Sequence, residues 1–207
     1  MQLESLPAGE HLLWQGRPAW WPLAVRAFHV RKVAIYFALF MAWRFASVLA
    51  DGETLVAATI AGLWMMVPAA AACAVLCALA WAYARSTRYS ITSRRVLLQF
   101  GVALPMTFNV PFRTIGSAGL KVYSDGTGDI PLALTGKDRI AYLLLWPHVR
   151  PGRYTHTEPM LRAVPNVEGV AKILAEALVA AQTAPTPAAD AIDATDRKTQ
   201  ALAAAAA

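Results

Sequence analysis

The sequence predicts a membrane-embedded α-helical hairpin joined to an α+β domain, the latter a small antiparallel β-barrel capped by a C-terminal helix. Three observations predict it. Two long apolar runs stand back to back, parted only by Asp51-Gly52-Glu53. From Tyr89 the pattern breaks into short apolar segments punctuated by Gly and Pro. After Pro165, apolar residues return at spacings of three and four.

Composition agrees with a membrane assignment. Of 207 residues, 57% are hydrophobic and only 15% charged, against about 25% in soluble domains. The deficit of charge is local, which points to spans rather than a uniformly apolar globule. The chain is basic, at +6, and a basic membrane protein faces anionic headgroups or, less often, nucleic acid. Cys73 and Cys77 both lie inside an apolar run. Two cysteines are too few for a disulfide framework or a cysteine zinc site, and they read as small packing residues.

Residues 1–32 form a cytoplasmic N-terminal segment. Its first 18 residues are polar, with Pro7, Gly9, Gly16, Pro18 and a single Trp14. Residues 19–32 read as an interfacial amphipathic helix: Trp20, Trp21, Leu23 and Phe28 supply bulk, and Arg26, Arg31 and Lys32 gather toward its end. Residues 33–84 are the hairpin. Val33 to Ala50 spans roughly 27 Å as a helix, close to a hydrocarbon core of about 30 Å. Thr54 to Ala84 carries no charge and reaches roughly 46 Å, so the span proper falls at 60–82. Pro68 is expected to kink it, and Trp81 and Tyr83 mark the far interface. Arg26, Arg31 and Lys32 precede the hairpin, Arg85, Arg88, Arg94 and Arg95 follow it, and the connecting turn has no Lys or Arg. The positive-inside rule therefore places both termini in the cytoplasm.

Residues 85–182 form the barrel domain. Its candidate strands are Tyr89–Ile91, Val96–Phe100, Thr107–Val110, Leu120–Tyr123 and Ile130–Leu134, with Ile140–Trp146 as a further buried strand. Asp125-Gly126-Thr127-Gly128-Asp129 reads as a hairpin turn, lacking the ligand series of a calcium loop. Asn166 is a candidate N-cap and Glu168 suits a first helical turn. Val167, Val170, Ala171, Leu174, Ala177, Leu178 and Ala181 then form one apolar stripe. Residues 183–207 hold 11 Ala and two Pro without a polar–apolar period, and are expected to be disordered.

No P-loop, dinucleotide fingerprint, nucleophile elbow or paired metal-ligand histidines can be found, so no catalytic residue, cofactor or metal is expected. The candidate contact residues are His29, Arg44, Arg85, Arg88, Arg94 and Arg95. Arg44 is a charge inside a span, which costs at least about 2.5 kcal/mol near the centre. It can snorkel toward Asp51 or Glu53, or meet a partner helix or pigment. His29 sits at the membrane boundary as a polar anchor or a tetrapyrrole ligand. His148 reads as a strand-end residue. Residues 85–163 carry eleven Lys/Arg against four Asp/Glu, a surface suited to anionic lipid. Basic and aromatic residues are not interleaved as a nucleic-acid module would need.

Tyr89-Ser90-Ile91-Thr92-Ser93-Arg94-Arg95-Val96, followed by Gly101, resembles the opening of bacterial pleckstrin-homology-like (PH-like) domains attached to membrane hairpins. A closer likeness is to the photosynthetic complex assembly protein family PuhB of purple phototrophic bacteria. It is carried by Leu13-Trp14-Gln15-Gly16-Arg17-Pro18, Ala27-Phe28-His29-Val30-Arg31-Lys32-Val33, Gly101-Val102-Ala103-Leu104-Pro105, Asp125-Gly126-Thr127-Gly128-Asp129-Ile130, Tyr142-Leu143-Leu144-Leu145-Trp146-Pro147-His148 and Glu158-Pro159-Met160-Leu161-Arg162-Ala163. The likeness covers roughly residues 6–182. It implies a PH-like barrel and a non-enzymatic helper that assembles the reaction centre with its light-harvesting LH1 antenna in the photosynthetic inner membrane. It supplies no catalytic or ligand set. The alternatives are a lipid-binding membrane module and a protein that hands on bacteriochlorophyll through His29. Expected partners are reaction-centre and LH1 polypeptides, anionic membrane lipids and a second copy of the chain in a homo-oligomer, with no nucleic acid.

Overall fold

In the computed structural model, residues 7, 9–102, 104–135, 141–153 and 156–183 are described. The expectation of a disordered tail falls almost wholly on residues outside that set. The elements in order are β1 (Leu12–Gly16), α1 (Trp20–Arg26), α2 (Val30–Ala50), α3 (Leu55–Trp64), α4 (Met66–Ser86), β2 (Arg88–Thr92), β3 (Arg95–Phe100) and β4 (Met106–Pro111). A 3-10 turn at Phe112–Thr114 leads to β5 (Ile115–Ala118), β6 (Lys121–Val122), β7 (Gly128–Leu134), α5 (Tyr142–Leu145), β8 (Met160–Val164) and α6 (Val167–Thr183).

Two helical stretches are long and apolar enough to cross a membrane, Val30–Ala50 and Leu55–Ser86. They are apolar along their length, and few of their residues are fully buried by the rest of the chain, a pattern that suits a lipid environment. The tight turn between them contains Gly52 at φ 85, and Thr54 caps α3 by accepting from the Ala57 N–H at 3.2 Å. The kink expected at Pro68 is a break at Met65. Proline has no N–H for the carbonyl four residues back, and its ring crowds that carbonyl; here it belongs to Trp64, the last residue of α3. The expected amphipathic helix over 19–32 is also divided. α1 ends at Arg26, and the chain turns through His29 in the left-handed region at φ 56 before α2 begins. α1 packs Leu23, Ala24 and Ala27 against Ala80 and Ala84 of α4, and leaves Trp20 and Trp21 exposed.

The barrel is two antiparallel sheets. The first has strand order β1-β2-β3-β4. Strict alternation in β3 sends Val96, Leu98 and Phe100 inward. In the second sheet β7 pairs with β5, β6 and β8. The Asp125–Asp129 segment makes the β6–β7 turn, as its glycines and aspartates suggested. Gly128 is required there, because a Cβ would meet the Lys121 carbonyl and the Val167 side chain. α6 closes the core with Val167, Val170, Leu174 and Ala177 buried, while Ala171, Leu178 and Ala181 pack beside them. This is the stripe read from the sequence. Asn166 precedes it at φ 47, and its carbonyl accepts from Val170 at 3.3 Å.

Four further segments depart from expectation. Residues 12–16 are a strand of the barrel, with Trp14 opposite Ile91 and Gly16 opposite Tyr89. The barrel therefore does not begin at residue 85: the N-terminal segment supplies its edge strand, and Trp14 packs on its core. Ile140–Trp146 is not a strand. Ile140 lies outside the described residues, and Tyr142–Leu145 is one helical turn that buries Leu145. A short apolar run carries no periodicity with which to choose between the two. Finally, β5 and β8 are strands that the sequence pattern does not announce. Ile115–Ala118 contains a Gly and a Ser, and Met160–Val164 is interrupted by Arg162, so neither reads as a strand by alternation.

Candidate functional site

A group of buried polar side chains lies where α1 meets the barrel. Arg162 of β8 reaches the carbonyl oxygens of Pro147 at 3.0 Å and Arg26 at 3.1 Å with its two terminal nitrogens. It is only 9% exposed, and its Nε is buried without a partner. Asp129 of β7 accepts from the Ala163 N–H at 2.8 Å and from the Tyr123 hydroxyl at 3.0 Å. The Ala163 carbonyl accepts from the Ala19 N–H at 2.8 Å, so both peptide groups of this left-handed residue (φ 52) are held. Arg26, at the end of α1, donates to Thr127 and Asp125 at 2.7 Å each and lies 3.5 Å over the Tyr123 ring. Hydrogen bonds from Thr127 and Arg26 pull the Asp125 carboxyl down to about 2. Phe28, Tyr83 and Trp146 complete the joint as an aromatic triangle with centroids 5.2–5.9 Å apart.

Below this joint lies a buried hydrogen-bonded chain. His148 is fully buried, with Nδ1 2.7 Å from the Tyr89 hydroxyl and Nε2 3.0 Å from Thr87 Oγ1. Burial, and then the charge of Arg162, push the His148 pKa down to about 3. The ring is therefore neutral, one nitrogen donating and the other accepting. The Tyr89 hydroxyl also accepts from the Arg162 N–H at 3.1 Å, and burial raises its pKa. His148 is thus a structural polar centre, not the strand-end residue that its neighbourhood Trp146-Pro147 suggested.

The candidate residues from the sequence do not form one site. Arg85 and Arg88 share a groove at the end of α4, where Arg85 lies 5.5 Å from the Trp81 ring. Arg94 and Arg95 stand at the β2–β3 turn, the opposite end of that strand pair. Arg94 is exposed, and Arg95 grips buried Glu10 through two hydrogen bonds of 2.8 and 2.7 Å. That grip lowers the Glu10 pKa. His29 is an exposed residue at the start of α2, its pKa lowered by partial burial and by Lys32 and Arg162. Arg44 is far away along α2; its guanidinium reaches Ser47 Oγ at 3.5 Å, and among the described residues it forms no ion pair with Asp51 or Glu53. No group of three or more His, Cys, Asp or Glu comes together among the described residues. Sequence reasoning missed Arg162, Asp129, Tyr89 and Arg26. For Arg162 a signal existed: a lone arginine inside the run Leu161 to Val164 must be either exposed or fully partnered.

Replacing Arg162 with Met should cost about 3 kcal/mol, because a buried and a part-buried carbonyl lose their donor, and should lower the melting temperature of the detergent-solubilised chain by roughly 6–12 °C. Lysine should not rescue it, since a point charge cannot span both carbonyls. Circular dichroism melts of the full chain measure this, and parent-like melting of both variants would remove Arg162 as the tie between β8 and α1.

This geometry defines a class: an antiparallel PH-like barrel joined by hydrogen bonds and packing to an apolar helical hairpin. The chain belongs to the bacterial PH domain family, whose model matches residues 33–178. It is 39% identical over 173 residues to the "Uncharacterized 23.7 kDa protein in puhA 5'region" of Rhodobacter capsulatus, covering 83% of this chain and 81% of that one. A solved DUF1696 family protein with a pleckstrin-homology domain from Shewanella loihica PV-4 aligns over 44% of this chain and 69% of its own, at 14% identity and a TM-score of 0.29. The family match begins inside α2 and so leaves out β1, although β1 is part of the sheet.

Proposed function

We propose that this chain is a non-enzymatic membrane assembly factor for the photosynthetic reaction centre–LH1 core complex, with the hairpin spanning the inner membrane and both termini in the cytoplasm. The observation that carries the reading is the 39% identical relative named for its place in the puhA 5' region. The fold supports it. Bacterial PH domains are generally non-catalytic, and the hydrogen bonds between α1 and the barrel link the hairpin to the barrel side of the molecule. The lipid-facing surface of α2 and α3 is free to meet nascent subunits.

The test is purification of the tagged full chain in mild detergent from a purple phototroph assembling its core complex. Reaction-centre and LH1 polypeptides should co-purify, and deletion of the gene should lower core-complex absorbance. Normal absorbance without the gene would defeat the proposal. Arg44 gives a sharper version. Arg44→Leu should insert as well as the parent, since it removes a charge from the span. If Arg44 meets a partner helix, losing a polar contact worth about 0.6–1 kcal/mol should lower complex levels roughly three-fold at matched protein. Unchanged levels would leave Arg44 a snorkelling residue only.

A further inference from the structure

We propose that the β3–β4 turn dips into the leaflet on the barrel's side of the membrane and that Arg85 and Arg88 seat the headgroup of an anionic phospholipid beside it. The proposal does not depend on the assembly reading. It rests on three features that the fold brings together from segments that are separate in the sequence.

The first is position. α4 ends at Ser86, β2 starts two residues later, and Arg88 is paired with Gln99 across the β2–β3 ladder. The end of β3 and the turn that follows are therefore fixed beside the end of the second long apolar helix. A groove of about 490 Å³ opens there, lined by Arg85, Arg88, Gln99, Val102, Pro105 and Met106 among others. Trp81, one turn before Arg85, is exposed, as are Trp20 and Trp21 on α1. Exposed tryptophans on adjacent elements mark a membrane–water boundary.

The second feature is the turn itself. Leu104 is 79% exposed and Val102 52%, with Met106 beside them also exposed. Water is a poor environment for large apolar side chains gathered on a tight turn, Val102 and Leu104, and on the first residue of the strand that follows it, Met106. Gly101, at φ 123, forces the tight shape, and a Cβ there would run into the Leu104 carbonyl. The turn is thus built to project these side chains rather than to fold them back on the barrel.

The third feature is charge. The groove is lined by two arginines and no acidic residue. Ser86, Gln99 and Thr107 add neutral polar groups around it. Guanidinium groups held above inserted apolar side chains match the layered chemistry of a leaflet, phosphate outside and acyl chain inside. A soluble anion would use the arginines but have no use for Val102, Leu104 and Met106, so the occupant is a phospholipid.

The experiment uses the full chain, with Cys73 and Cys77 replaced by Ala, reconstituted into vesicles. A fluorescent label is placed at Leu104→Cys or, as a control on the far β2–β3 turn, at Ser93→Cys. Quenching is read with a lipid spin-labelled near its headgroup, in phosphatidylcholine with and without phosphatidylglycerol. The label at 104 should be quenched well above the control, and more so with phosphatidylglycerol. Arg85→Gln/Arg88→Gln should abolish the response to phosphatidylglycerol, a loss of about five-fold per arginine in headgroup affinity. Arg85→Lys/Arg88→Lys should keep most of it, which excludes misfolding as the cause. Inorganic phosphate at millimolar concentration should not compete. Equal quenching at 104 and 93 would overturn the insertion. A response indifferent to phosphatidylglycerol or to the arginines, or competition by phosphate alone, would overturn the lipid seat.

Discussion

Replacing Leu174 with Asp should abolish the folded barrel while leaving the hairpin helical. Leu174 is 1% exposed and lies at the centre of the α6 stripe that closes the core. A carboxylate there has no described partner. Burying it ionised costs more than the 5–15 kcal/mol typical of a whole domain's stability, and burying it neutral still leaves a polar group without hydrogen bonds. Leu174→Ala gives the scale of the packing alone, a loss of about 2–5 kcal/mol. The measurement is near-ultraviolet circular dichroism and limited proteolysis of the full chain in detergent. The Asp variant should lose the signal of the packed aromatics and become cleavable between β2 and α6, with far-ultraviolet helicity from the long apolar helices retained. A parent-like, cooperatively melting Asp variant would show that α6 does not close the sheets. The full chain is necessary, because a fragment starting at residue 86 would lack β1 and Trp14.

Acid should unfold the barrel through His148, beginning near pH 6.5. The folded pKa is about 3, against an ordinary value of 6.5. The unfolded chain therefore binds a proton in this window that the folded chain does not. Stability from the neutral ring is complete above pH 6.5 and falls as pH drops toward 3. The limiting slope is about 1.4 kcal/mol per pH unit, so the loss by pH 4.5 approaches roughly 3 kcal/mol. His29 also has a lowered pKa and titrates with the same sign. The decisive comparison is thus parent against His148→Gln, which keeps a donor and an acceptor but takes up no proton. Chemical-denaturation midpoints of the full chain between pH 7 and 4.5 should slope more steeply in the parent than in the variant, which keeps only the slope from His29 and the carboxylates. Equal slopes would mean that His148 is reached by water and protonates within the folded barrel.

Why some elements were legible and others not has a physical explanation. The helical spans show in the sequence because each is an unbroken local pattern, as is the α6 stripe. β2, β3 and β4 could be placed within a residue or two because their turns carry Gly, Pro and Ser signals. Trp14 in a polar N-terminal segment gave no such signal. β1 is a strand only because β2 offers an edge across the whole hairpin, with Gln15 bonded to Ser90 at 3.0 Å. His148 could not be assigned for the same reason, since its partners Thr87 and Tyr89 are some sixty residues away. Arg94 and Arg95 looked equivalent to Arg85 and Arg88 as flanking charges. The antiparallel pairing of β2 and β3 put the two pairs at opposite ends of the ladder.

The sequence by itself determined the apolar hairpin, its turn, the basic balance of the barrel and the stripe of the closing helix. Each of these is set by neighbours within a few residues, where propensity and periodicity act. The tertiary structure alone decided that the N-terminal segment completes the barrel and that Arg162 ties β8 to α1 while Asp129 anchors its backbone. It also decided that Arg85 and Arg88 share a groove with the exposed β3–β4 turn. These depend on a buried charge or an open sheet edge finding a partner far along the chain, and no local pattern encodes that partner.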